Sequence, residues 1–325
     1  MLAFLIRRTF VAAIIIFCAI TLLVIMINSV PGDPASILLG PRATPEMKEV
    51  LRREMGLDAS IPQQVVIFIW NVFQGDLGTD VFSKRPVLDV VMDQLPYTLI
   101  LISVSMAGAA LIGIPLGCYS ALHRGSWLDN IVGILSVSAI TIPAFVIAIY
   151  SVLIFSISLK WLPAIGVGER GNILDQATHL ILPAVSIGLN WVGYLSRFVR
   201  SSMLEVLGEQ HIRTARAHGL SETKVVFQYA LPLAVLPTIT IIGIGIGYLL
   251  SAAVLTEIVF ARPGVGKLLY DSVTQRNFPV VMGTVLITMI LFVVVGPTTH
   301  GCTRHRCGAV IGGFAINFIS QNLWF

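Results

Sequence analysis

The chain has 325 residues, of which 56% are hydrophobic and 12% charged. Soluble domains carry about 25% charge, so this composition excludes an ordinary soluble globule and points to a polytopic membrane protein. The net charge of +4 is no nucleic-acid signature, because the basic residues lie in loops between apolar stretches rather than on one face. The four cysteines make no disulfide framework; Cys18 and Cys118 fall in apolar runs as packing residues.

Arg7 and Arg8 precede an apolar run over 9–30 that nears the length of a full span. No small-x-small cleavage site closes it, so it reads as a retained signal anchor. Further stretches near the ~20 residues a bilayer needs cover 97–121, 131–159, 179–198, 233–255 and 280–295. The third is long enough to tilt or to break near Pro143. The sixth is short, because Gly296-Pro297 should break it. The resulting fold class is all-α, with about six transmembrane helices.

The loop between the first two spans holds local signals. Thr44-Pro45-Glu46 reads as N-cap, helix-start proline and first-turn acid, with a helix running to Met55 and stopped by Gly56-Leu57-Asp58. Ile61-Pro62 opens a second helix through Phe73, and Gly75-Asp76-Leu77-Gly78 reads as a turn. A small folded cap and a solvated linker both remain open readings. Lysine and arginine counts place the N-terminus in the cytoplasm: Arg7, Arg8, Arg124, Arg197, Arg200, Arg213, Arg216 and Lys224 fall inside, against Lys160, Arg170, Arg262, Lys267 and Arg276 outside. The domain plan is a membrane anchor over 1–30, an outer loop or cap over 31–96, a core membrane domain over 97–295 and a divergent tail over 296–325.

The span centres hold no Asp, Glu, Lys or Arg, which counts against an ion- or proton-coupled carrier, the alternative transport class. Gly113 and Gly117, and Gly243 and Gly247, each spaced by four, favour close helix contact. Arg262-Pro263-Gly264-Val265-Gly266-Lys267-Leu268 imitates a phosphate loop but has Ala261 where the first glycine belongs and Leu268 where Ser or Thr must ligate magnesium. Neither a Gly-x-Ser-x-Gly elbow nor a His-Glu-x-x-His pair occurs. The chain therefore reads as no enzyme, and any ATP hydrolysis belongs to a partner.

The inner loop over 197–224 carries the positive signal. A helix over 209–218 places Ile212 and Ala215 on one stripe and Arg213 and Arg216 on another. Gly219 interrupts it, and Ser221 can cap a second short helix led by Val225, Val226 and Phe227. A solvated loop obeying the positive-inside rule is the plainer reading; a compact docking knob is the sharper one.

Arg213-Thr214-Ala215-Arg216-Ala217-His218-Gly219, with Leu231-Pro232 twelve and thirteen residues beyond the glycine, resembles the EAA motif of bacterial ABC importer permeases. Arg213 stands where the motif has glutamate, as in the peptide and nickel branch. Pro31-Gly32-Asp33-Pro34, Met55-Gly56-Leu57-Asp58, Gly75-Asp76-Leu77-Gly78, Arg85-Pro86-Val87, Pro96-Tyr97-Thr98-Leu99, Glu257-Ile258-Val259-Phe260 and Pro263-Gly264-Val265-Gly266 also look like that branch. The resemblance implies a type I ABC importer permease fold in the bacterial inner membrane. It implies a subunit forming half of a pathway for peptides or related small solutes, without a cofactor of its own. Its partners would be a second homologous permease, cytoplasmic ATP-binding subunits, a periplasmic solute-binding protein and the lipid bilayer, with no nucleic acid. Carried onto this chain, Arg213, Ala215, Arg216, Gly219, Leu231 and Pro232 form the element that couples to the ATPase. Gly219→Asp is then expected to abolish transport without abolishing insertion. Ser186, Asn190, Thr240 and Ser251 are candidate pathway-lining residues. After Val295 the resemblance is lost, which suggests a tail read in a shifted frame; the spacing of His300, Cys302, His305 and Cys307 is too tight for a usual zinc site.

Overall fold

The computed structural model describes residues 2–29, 44–54, 60–169 and 171–305. Its helices are α1 (Leu2–Ser29), α2 (Pro45–Glu54), α3 (Ile61–Phe73), α4 (Val87–Leu122), α5 (Trp127–Thr141), α6 (Ala144–Ser151), α7 (Ile173–Leu207), α8 (Gln210–Ala217), α9 (Glu222–Lys224), α10 (Leu231–Val259), α11 (Val265–Thr274) and α12 (Phe278–His305). Wider helical turns extend α6 over Val152–Ser158 and join α9 to α10 over Val225–Ala230. Among the described residues the one β-type pairing is an isolated bridge between Thr79 and Pro86. The fold is all-α.

Four helices are long and apolar enough to cross a membrane, or five if the bent pair α5–α6 is one span. That pair turns by 98° at its break, at the predicted proline: Pro143 has no N–H for helix bonding, and Ile142 before it takes an extended backbone. The sixth predicted span is a shorter apolar stretch, Phe278–Val293. Two boundaries differ from expectation. Helix α12 runs through Gly296-Pro297 to His305 rather than breaking there. Helix α4 begins at Val87, ahead of Pro96 and of the predicted apolar stretch over 97–121. Val87 and Val91, one turn apart, are fully buried, and that packing carries the helix through the proline.

The chain divides into two compact units, Met1–Thr98 with Pro263–Val293, and Leu99–Arg262 with Val294–Phe325. In the first, Ile20 and Val24 of α1 pack with Val65 and Phe68 of α3, Leu77, Val87, Val91, Val280 and Leu286. The local signals are realised. Thr44 Oγ1 accepts from Met47 N at 3.3 Å, and Gln63 Oε1 accepts from Ser60 N at 3.1 Å. Asp76 Oδ1 accepts from Gly78 N at 2.8 Å, in a turn whose Gly75 and Gly78 take φ of 82° and 86°. Gly56-Leu57-Asp58 lies outside the described residues.

In the second unit α7 is central and packs against α5, α6 and α10. Glycines let it do so. A Cβ on Gly113 would lie 3.0 Å from Val192 O, and one on Gly117 would press into Ser196 O and reach Val199 Cβ at 2.9 Å. A Cβ on Gly193 would lie 2.6 Å from Ser136 O of α5. Gly243 and Gly247 are buried in α10, and at Gly245 between them a Cβ would meet Met106 and Trp191 at 2.6 Å.

Candidate functional site: a knob at one end of the helical core

The loop after α7 is built rather than solvated. Glu209 supplies an extended N-cap backbone, and α8 follows over Gln210–Ala217. Its apolar stripe is buried: Ile212 is fully enclosed, and Ala215 nearly so. They join Val225, Val226, Ala230 and Ala234 with Val199, Met203 and Val206 of α7 and Cys118 and Ala121 of α4. Leu220 and Leu231 pack against the same cluster. One apolar core thus fixes the knob to the ends of three long helices, and a body so mounted moves rigidly with them.

Gly219 sits at the bend with φ +79°, a left-handed backbone that other residues adopt only under strain. Its N–H donates to Arg216 O at 2.9 Å, and His218 N donates to Thr214 O at 3.0 Å, closing the end of α8. A Cβ at Gly219 would meet nothing within 4 Å inside the subunit. Glycine is needed here for its backbone, and the space beside it is left open. Ser221 has the extended backbone of an N-cap, but its side chain makes no capping bond. Pro232 lies where the wider turns over Val225–Ala230 pass into α10, and its missing N–H takes one bond out of that continuous helix.

Arg213, Arg216 and Lys224 are all exposed. Arg216 is engaged: its Nε and Nη2 donate to the two oxygens of Glu222 at 2.7 and 3.2 Å, bracing α8 to α9 across the bend. Arg213 and Lys224 have no ion-pair partner among the described residues, which leaves both free to meet an acidic surface. Phe227 is exposed beside buried Val225 and Val226.

Sequence reasoning missed the clasp behind the knob. Arg200 of α7 donates through Nε and Nη2 to Asp129 Oδ1 and Oδ2 at 2.7 and 2.8 Å. Asp129 also accepts from the Ser120 hydroxyl and, at 2.9 Å, from Gly125 N. The bidentate pair ties the α4–α5 turn to α7 one residue from Val199 of the knob core. No local signal marks it, because Asp129 lies 71 positions from Arg200.

The candidate pathway residues are dispersed. Ser186 has no exposure; its hydroxyl donates to Leu182 O at 2.7 Å and lies 3.4 Å from Ser151 Oγ, so it is a packing contact of α6 and α7 and not part of an open face. Asn190 Nδ2 donates to Ile142 O at 2.9 Å, meeting a carbonyl left open by the Pro143 break. Thr240 is half-buried and Ser251 exposed, both on α10. The phosphate-loop mimic is closed: Val265 N, at the start of α11, donates to Thr98 Oγ1 at 2.8 Å, and Lys267 pairs with Asp271 at 2.9 Å.

Residues 113–299 match the model of the family described as binding-protein-dependent transport system inner membrane component, and residues 1–102 match its N-terminal companion. The chain belongs to this family. It is 35% identical over 295 residues to the glutathione transport system permease protein GsiC of Escherichia coli (strain K12), covering 91% of this chain and 94% of the relative. To GsiC of Pectobacterium atrosepticum it is 36% identical over the same shares. The structure superposes on the inward-facing MetNI methionine ABC transporter with a TM-score of 0.56 at 19% identity, over 67% of this chain and 96% of that one. The fold is that of a type I ABC importer permease, and the chain is a multi-pass inner-membrane permease subunit of a binding-protein-dependent ABC importer. Membership sets aside the ion- or proton-coupled carrier. An importer of this family works with an ATP-binding subunit and a solute-binding protein.

Proposed function

We propose that this permease pairs with a second, homologous permease to enclose a pathway for short peptides, with the tripeptide glutathione as the first substrate to test. The substrate class rests on the glutathione permease relatives, which this chain matches over nearly their whole length. The N-terminus lies in the cytoplasm, so the knob over 209–232 faces the ATP-binding subunit.

The observation that carries the coupling role is the continuous core joining Ile212 and Ala215 to Val199, Met203 and Ala234. A knob packed into the roots of α4, α7 and α10 passes a push on its outer surface directly to those helices. Arg213 and the open ground beside Gly219 form the contact surface; Ala215 and Leu231 hold it from within, and Arg216 braces it through Glu222. The test is ATP-driven glutathione uptake into proteoliposomes holding the permease pair, ATPases and binding protein. Gly219→Asp is expected to remove uptake and binding-protein-stimulated ATP hydrolysis while the subunit still inserts and co-purifies with the second permease. Normal uptake by that variant would overturn the assignment of the knob.

A further inference from the structure

Helices α5 and α7 touch at two levels and part between them. At one level Gly193 brings α7 against the backbone of Ser136. At the other, beside the knob core, Arg200 holds Asp129. An open groove of about 890 Å³ lies along this stretch. Its lining changes character with distance from the knob. Nearer the knob are Asn130, Arg197 and Ser201; farther along α5 come Ile134 and Val137, with the small Ser138. Gly133 keeps the groove clear, since a Cβ there would meet nothing within 4 Å.

Charge and depth narrow what can fill it. Arg197 is exposed and has no ion-pair partner among the described residues. Asp129 is the one carboxylate in the lining, and Arg200 already occupies both its oxygens, so the groove keeps a positive charge. Trp127 opens α5 two residues before Asp129 and is 69% exposed. An exposed tryptophan at the end of a span sits at headgroup level, which puts the Arg200–Asp129 pair at the membrane boundary. Arg197 is three residues farther along α7, about 4–5 Å by helical rise, and its flexible stem can carry the guanidinium back to that level. From there Ile134, 66% exposed, and Val137 lead away into the apolar layer. A soluble anion would use the basic end and leave this apolar strip bare. An anionic head followed by an acyl chain matches both parts in order.

We propose that the α5–α7 groove binds an anionic phospholipid of the leaflet on the knob side, with its phosphate on Arg197 and Ser201 and an acyl chain along Ile134 and Val137. The cytoplasmic leaflet is the negatively charged one, and basic groups at its boundary hold such headgroups. The inference rests on the orientation in the permease reading above and owes nothing to the solute.

The test uses the complete transporter in phosphatidylcholine nanodiscs, with a minor share of phosphatidylglycerol bearing a photoreactive diazirine in its acyl chain. Illumination should label α5 around Ile134 and Val137 well above the level given by a phosphatidylcholine probe of the same chain. Arg197→Gln should lower the phosphatidylglycerol label about tenfold, for loss of one charge-assisted contact, and Arg197→Lys should keep most of it. Arg124→Gln, at an exposed cation outside the groove, should leave it unchanged. Gly133→Leu meets no clash and improves helix propensity, so it should fold and displace the label by filling the groove. Equal labelling by the two probes, or a label that survives Arg197→Gln, overturns the site. No label on α5 from either probe also overturns it, by taking the groove away from lipid. Removal of the label by excess glycerol phosphate would make this a site for a soluble phosphate, and loss of the second permease from purified Arg197→Gln would make it an assembly contact; either result overturns the lipid. None of these readouts uses transport, so this site and the substrate reading fail separately.

Discussion

Gly219 is the residue where backbone and function separate most cleanly. Its φ of +79° costs a residue with a Cβ about 1–2 kcal/mol, more for a branched one, whereas asparagine tolerates the left-handed region well. Gly219→Asn is therefore expected to retain more uptake than Gly219→Val. If the two lose it equally, contact with the ATPase rather than the bend sets the requirement. Arg216 and Glu222 form an exposed pair, the kind worth only ~0.2–1 kcal/mol, so its role is geometric more than stabilising. Arg216→Glu should impair uptake, and the added Glu222→Arg should restore it; no such exchange should rescue Arg213→Glu. Asp80 gives a pH test. Burial pushes its carboxyl up, but donors from Ser83, Asn277 and the Phe82 and Ser83 amides prevail and hold it below the ordinary value near 3.8. A depressed value means the contribution is complete above that ordinary value and is lost as pH falls through the lower folded one. Thermal unfolding in detergent should show Asp80→Asn less stable than wild type at pH 7, with the difference shrinking below about pH 4.

At the scale of elements, helix contact is set by small residues. Gly117 has no room for a side chain, because Ser196 O and Val199 Cβ already fill the place. Gly117→Leu should part α4 from α7 and lower the unfolding temperature in detergent, by an overpacking cost of about 1–3 kcal/mol. Gly133→Ala, on an open face, should change it little. Helices α2 and α3 were legible because caps, proline and first-turn acid are local signals read within one turn. The start of α4 was not, since Pro96 gives a local stop signal and only the burial of Val87 and Val91 overrides it. The knob was half legible. Its stripe of Ile212 and Ala215 follows from helical spacing, but the helices they pack against come from distant segments. Ser186 shows the converse: polarity in an apolar span suggested a pathway, whereas its hydroxyl closes on the backbone one turn earlier.

For the whole molecule, the proposed orientation makes a direct prediction. A cysteine at Trp161 should react with an impermeant thiol reagent from the periplasmic side, and one at His211 from the cytoplasmic side only. The reverse pattern would turn the knob away from any ATPase. The amino-acid sequence by itself determined the class: low charge and long apolar runs allow only a membrane protein, and the motif around Gly219 named its kind. It also determined the break at Pro143, since a missing N–H is a property of the residue. Tertiary structure alone decided which charges are engaged and which are free. Arg200 and Arg197 lie three residues apart on one helix and look alike in sequence. One closes on Asp129, 71 positions away, and the other looks into an open groove. Pairing across such a separation depends on how α5 meets α7, which glycines and burial fix and local propensity does not.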